Sequence, residues 1–253
     1  MTAQPSQLPH QTNGADSRPA EIDPSEHLRT QFLRRVAHDI ASPTGVTLTV
    51  LEELANAERP RPELVAMARR SLRRLMRLSE HLALVAELEA EAIEPELAPV
   101  DLRALVKQAL DDALGIDGRK DVVAACDLPA APLIIEGDAR LLTMTVREII
   151  GNALRLASSR VEVQLKADRE TITLRVDDDG PGFPPDAVAT LGKRFSRAVS
   201  RGLGLSLSMA IEILHAHDAK LEIETSMLPP GRKGVSGAAV ILTIPVRTPA
   251  KVT

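Results

Sequence analysis

The chain has no tryptophan, no tyrosine and only three phenylalanines, Phe32, Phe183 and Phe195. So few rings argue against a surface that stacks nucleic-acid bases. Cys126 is the only cysteine, which excludes an internal disulfide and a multi-cysteine metal site and fits a reducing compartment. An excess of one charge is also missing. The net charge is -4 with no long basic run, so nucleic acid is not expected as a partner. No apolar run approaches the roughly 20 residues that a bilayer-spanning helix needs. The N-terminus lacks the charged-then-apolar pattern of a signal peptide. The expectation is a cytoplasmic protein without a membrane segment.

What is present reads as a folded protein of 253 residues, with 44% hydrophobic and 26% charged residues. That length holds one large domain or two modest ones. Residues 1–24, rich in Pro, Ser and Gln, read as a disordered tail, and 248–253 as a second tail. Asp23-Pro24-Ser25-Glu26 is a helix start. Leu33, Val36, Ile40, Thr47, Leu51 and Leu54 follow at helical spacing, until Arg59-Pro60-Arg61-Pro62 breaks the pattern. Leu64, Ala68, Ser71, Leu75, Leu78, Leu82 and Val85 then form a heptad seam. Two helices on a short turn make an antiparallel hairpin, and a lone hairpin leaves its apolar stripe half covered. Residues 25–93 are therefore expected to form a dimeric four-helix bundle.

Residues 94–100 read as a linker, and 101–247 change to mixed helix and strand. Helices are expected at 101–114, 138–157 and 203–217. Strands are expected at 121–126, 133–136, 161–166, 171–176, 220–225 and 238–245. This pattern is α+β, a mostly antiparallel sheet with helices on one face.

His38 lies in Val36-Ala37-His38-Asp39-Ile40-Ala41-Ser42-Pro43. At about 100° per residue it sits roughly opposite Val36 and Ile40 and faces solvent. A neighbouring carboxylate, Asp39, can orient the imidazole and take its proton, leaving a ring nitrogen free to attack. Pro43 removes a backbone hydrogen bond and is expected to kink the helix. Taken alone, the pair also reads as a solvated surface His beside a surface Asp.

Three downstream segments point to a nucleotide. Glu148 and Asn152, four apart, share a helix face whose oxygens suit Mg²⁺, and Arg155 can reach a phosphate. Asp178 with Gly180 and Gly182 suits a carboxylate that accepts from an exocyclic amine, with glycines that let the base approach the backbone. A polar turn after a strand reads the same way. Gly202 and Gly204 open a helix, where free N–H groups attract an anion.

Together these residues resemble a two-component sensor histidine kinase, whose ATPase fold is shared with gyrase, Hsp90 and the mismatch-repair ATPases. His38-Asp39 through Pro43 is similar to the phosphoacceptor box. Asn152 is similar to the magnesium-binding asparagine box, and Asp178-x-Gly180-x-Gly182 to the adenine-binding glycine box. Phe195 resembles the phenylalanine box. Gly202-Leu203-Gly204-Leu205 resembles the second glycine box, and Gly237 to Pro245 the closing strand. The resemblance covers residues 28 to 247. It implies ATP and Mg²⁺, autophosphorylation of His38, a homodimer, and a response regulator whose aspartate takes the phosphoryl group. Ser42 stands where the family often has the Thr or Asn that positions water for the reverse, phosphatase reaction. A serine lacks threonine's stiffening methyl, so weak phosphatase activity is expected; Ser42 bonding the carbonyl one turn back is the other reading.

The chain departs from the family at three places. Glu148 stands where a second Asn is frequent, as in gyrase-like relatives. Ala41 replaces an Arg, and only six residues separate Phe195 from Gly202. Two rival functions share parts of the pattern: a phosphotransfer scaffold without ATP binding, and a serine kinase of the anti-sigma type.

Overall fold

The computed structural model describes residues 24–56, 61–89, 94–183, 206–231 and 234–246. The expected tails, Phe195, Gly202 and Gly204 lie outside the described residues.

Two long helices open the chain, α1 (Pro24–Ala55) and α2 (Pro62–Glu89), and they pack against each other. Thr47 of α1 and the seam positions Ala68 and Leu78 are buried, while the seam positions Leu64, Ser71, Leu75 and Leu82 are half-buried. Ile40 and Leu51 of the α1 set, together with Leu48, Leu72 and Met76, remain exposed on the single chain. α1 runs on through Pro43. Beyond the proline, the Thr47 hydroxyl donates to the Pro43 carbonyl at 2.9 Å, and the Thr44 hydroxyl to that of Ile40 at 2.7 Å.

The remainder alternates helix and strand: β1 (Ala98–Asp101), α3 (Leu102–Asp117), β2 (Val123–Asp127), β3 (Ile134–Gly137), α4 (Ala139–Leu156), β4 (Arg160–Ala167), β5 (Thr171–Asp178), α5 (Ser206–Ala216), β6 (Lys220–Thr225) and β7 (Ala238–Pro245). Five strands form one sheet in the order β2-β4-β5-β7-β6. Only β2 and β4 are parallel; the other pairings are antiparallel. Strict alternation along β4 and β5 turns Val161, Val163, Leu165, Ile172, Leu174 and Val176 inward. They meet Leu102, Val106, Ala109, Ile149, Ile150 and Leu154 of α3 and α4 in one core. The architecture is α+β.

Asp101 caps α3 and Asp138 caps α4, each carboxylate accepting a backbone N–H of the first turn. The Asp138 N–H in turn donates to Nε2 of buried His217 at 2.9 Å.

Two expectations shift. The segment read as a linker at 94–100 contains β1, which pairs with β3 in a separate two-stranded sheet. Pro99 disguised it, since a proline is tolerated in a strand with a free edge. α3 continues past 114 to Asp117, carrying Gly115 inside the helix and stopping at Gly118. A Cβ at Gly115 would meet only the tip of the Arg73 side chain of α2, which can swing aside.

Candidate functional site

His38 stands on α1 with 77% of its side chain exposed. Its Nδ1 lies 3.2 Å from Asp39 Oδ1. A carboxylate at Nδ1 selects the tautomer that carries its proton there and leaves the Nε2 lone pair free. Ser42 is exposed on the next turn. The hydroxyl that bonds back one turn here belongs to Thr44, two residues on.

The strand β5 ends at Asp178 and is followed at once by Asp179, so Asp177, Asp178 and Asp179 stand in a row. All three are buried, yet each faces a different neighbour. Asp177 receives Arg175 Nε at 2.7 Å, the Ser226 hydroxyl at 3.0 Å and the Met227 N–H at 2.9 Å. Asp179 turns toward residues 158–160, the start of β4 and the turn before it. Asp178 Oδ1 accepts the N–H of Gly180 at 2.8 Å and that of Ala238 at 3.5 Å. Among the described residues both bonds fall on Oδ1, so Oδ2 can accept from a ligand's N–H group. Burial pushes the Asp178 pKa up to about 6 against the pull of those two N–H groups, and the charges of Asp179 and Asp177 add to the rise.

The glycines beside it act differently from the expectation. A Cβ on Gly180 would lie 2.5 Å from the Leu156 carbonyl and 2.7 Å from Asp178 Oδ1. Gly180 thus makes room for the end of α4, and not only for a base. Gly182 has φ +72, a conformation that disfavours any side chain.

Helix α4 carries Glu148, Asn152 and Arg155. Asn152 Oδ1 accepts from Arg155 Nη2, and Arg155 Nη1 lies 3.9 Å from Asp117 Oδ1. Asn152 and Arg155 are therefore together. Glu148 is buried against α2, with Oε2 3.4 Å from His81 Nε2. Burial holds His81 below the ordinary imidazole range; Arg77 and Arg147 lower it further, and Glu148 opposes them. Asn152 could offer its Oδ1 to Mg²⁺, which takes one or two protein oxygens and fills its octahedron with water and phosphate, once Arg155 releases that oxygen. Glu148 would have to leave His81 to join it.

Sequence reasoning missed the contact between α2 and α4. Arg77 Nη1 donates to Asp117 Oδ2 at 2.5 Å, with both side chains buried. Arg147 donates to Glu80 at 2.5 Å, and Arg140 to Glu87 at 3.1 Å. These three ion pairs, with the His81–Glu148 contact between them, line α2 against α4 and the end of α3. Burial works against the charge of Arg77, but Glu148 and Asp117 outweigh it and its pKa is raised. The only local signal was that Arg77, Glu80, His81 and Glu87 share one face of α2.

Residues 137–248 match the family of histidine kinase-, DNA gyrase B- and HSP90-like ATPases. The sensor histidine kinase MtrB of Mycobacterium tuberculosis is 30% identical over 92% of this chain, which covers 42% of MtrB. The signal transduction histidine-protein kinase AfsQ2 of Streptomyces coelicolor is 30% identical over 91% of this chain and 44% of its own length. The chain thus spans less than half the length of these relatives. Among solved structures, the Acinetobacter baumannii histidine kinase AdeS has a TM-score of 0.53 at 18% identity, over 83% of this chain and 98% of its own. Full-length ShkA, solved in complex with AMPPNP, has a TM-score of 0.56 at 22% identity, over 89% of this chain and 46% of its own. These two show a shared fold. No helix among the described residues is long and apolar enough to cross a membrane. Residues 137–248 thus carry the histidine kinase-, DNA gyrase B- and HSP90-like ATPase domain, and the chain is similar over about nine tenths of its length to sensor histidine kinases.

Proposed function

We propose that this chain is the kinase core of a two-component system, which uses ATP to phosphorylate His38 and passes the phosphoryl group to an aspartate of a response regulator. The observation that carries the reading is the exposed His38, with Asp39 on its Nδ1, in a chain with the ATPase domain. Asp178 would accept from the adenine amine, Asn152 would hold Mg²⁺, and Arg155 would reach the phosphates. By the family resemblance, Gly202 and Gly204 would bind the phosphates. Mg²⁺ supplies charge neutralisation between the phosphates. His38 Nε2 attacks the γ-phosphorus, the bond to the bridging oxygen of ADP breaks, and Asp39 takes the Nδ1 proton so that the phosphorylated ring is neutral. The N–P bond then breaks as the regulator's carboxylate oxygen bonds the same phosphorus. Catalysis rests mainly on positioning and charge.

The exposed apolar set on α1 and α2 supports a homodimer, in which two helical hairpins close a four-helix bundle. Ser42 would position water for regulator dephosphorylation, weakly, because it lacks the methyl that stiffens threonine's χ1. The test is labelling by radioactive ATP. His38→Gln should abolish acid-labile label while ATP binding persists. Undiminished label, or label that survives acid, overturns the assignment; the latter indicates a serine kinase. Absence of ATP binding in the wild-type chain indicates a scaffold.

A further inference from the structure

Asp179 belongs to none of the roles above, yet its carboxylate accepts four hydrogen bonds, three of them from consecutive backbone N–H groups. It is 4% exposed. Oδ1 accepts three consecutive backbone N–H groups, those of Ser158 at 2.8 Å, Ser159 at 2.9 Å and Arg160 at 2.9 Å. Oδ2 accepts the Ser159 hydroxyl at 2.6 Å. Its own N–H donates to the Arg160 carbonyl at 3.2 Å. Burial disfavours its charge, but the Ser159 hydroxyl and the N–H groups of Ser159, Arg160 and Ser158 outweigh that and hold its pKa below the ordinary range.

The two ends of this clamp give it meaning. One side is the residue next to Asp178, the candidate adenine acceptor. The other is the turn that leaves α4, three residues after Arg155 and six after Asn152. We propose that Asp179 is a positioning residue that fixes the adenine end of the nucleotide site to its phosphate end, and so sets the affinity for ATP as a whole. This rests on the reading of Asp178, Asn152 and Arg155 as nucleotide-binding residues. ATP engages both ends, so binding of the second end is intramolecular once the first has bound. Its advantage depends on the two ends being held at the right separation. Loosening the clamp lowers that advantage and leaves each end able to bind its own fragment. A carboxylate that only stabilised the fold would not separate whole from parts in this way.

The experiment measures dissociation constants of the full chain for Mg-ATP, adenosine and magnesium tripolyphosphate, at a temperature where each variant is folded. Asp179→Ala should weaken Mg-ATP by about tenfold or more, with adenosine and tripolyphosphate each changed by less than about threefold. Asp179→Asn keeps an oxygen for the three N–H groups and an amide that can donate to Ser159 Oγ, and should restore most of the affinity. Unchanged ATP affinity in Asp179→Ala overturns the proposal, and so does an adenosine loss equal to the ATP loss. Should Asp179→Ala fail to fold, Ser159→Ala decides: it removes one of the four bonds and should show the same pattern at smaller size, and its absence overturns the proposal. Asp178→Ala in parallel keeps the two readings apart. If that variant binds ATP normally, the assignment of the adenine end fails, whatever Asp179 does.

Discussion

Asp178 is a charge held where the protein would be more stable without it. The residue is 6% exposed, and its pKa rises from the ordinary 3.8 to about 6, chiefly through burial. Between these values the folded chain binds a proton that the unfolded chain has released, so stability from this group falls as pH rises. The penalty is complete above the folded value and vanishes below about pH 4. A shift of about 2 units at 1.36 kcal/mol each corresponds to about 3 kcal/mol. Asp178→Asn keeps the shape and an oxygen for the Gly180 N–H, and removes the charge. Without nucleotide, this variant should be more stable than wild type by roughly 1–3 kcal/mol at pH 8, because the new amide group needs a partner of its own. The gain should shrink near pH 6 and disappear near pH 4. Urea unfolding of both proteins at the three pH values reads this directly. ATP should reverse the order at pH 8, since ligand stabilises only the form that binds it. A gain that does not vary with pH, or a loss at pH 8, would refute the reasoning.

Arg77→Ala leaves Asp117 buried opposite Gly151 without its partner, and should cost about 3–5 kcal/mol in urea unfolding; a change under about 1 kcal/mol would show that water replaces the guanidinium. The full chain should scatter light as a dimer at micromolar concentration, and Leu48→Glu with Met76→Glu should make it a monomer; a monomeric wild type contradicts the bundle. Ser42→Thr should speed dephosphorylation of the phosphorylated regulator at unchanged autophosphorylation; no change, or a loss of kinase activity, counts against Ser42 as the water-positioning residue.

Much of the fold was legible because burial imposes a period. β6 and β7 fall on residues 220–225 and 238–245 as expected, and the alternation of β4 and β5 marks their inward residues. β1 was hidden by Pro99, since local chemistry cannot show that β3 lies alongside to pair with it. At the site, the spacing to Gly180 and Gly182 singled out Asp178 from three identical neighbours. The work of the other two depends on Ser226 and Met227 for Asp177, and on Ser158 to Arg160 for Asp179. Those partners are distant in sequence and no motif names them. The same holds for Arg77 and Asp117, forty residues apart. Glu148 was read from its helix face as a ligand beside Asn152, but a helix face does not reveal that α2 lies over it.

The row of charged contacts that holds α2 against α4 and the end of α3 is uneven, and the unevenness has a mechanical consequence. At one end Arg77 and Asp117 are enclosed, in a space that exists because Gly151 has no Cβ to fill it. At the other end Arg140 and Glu87 are open to water. Salt weakens the open pair strongly and the enclosed pair hardly at all. If α2 were to lift away, rising salt should open the Glu87 end first and the contact with Asp117 last, like a door whose pin is at Gly151. Along that path the Glu148 carboxylate is released before the last pair parts.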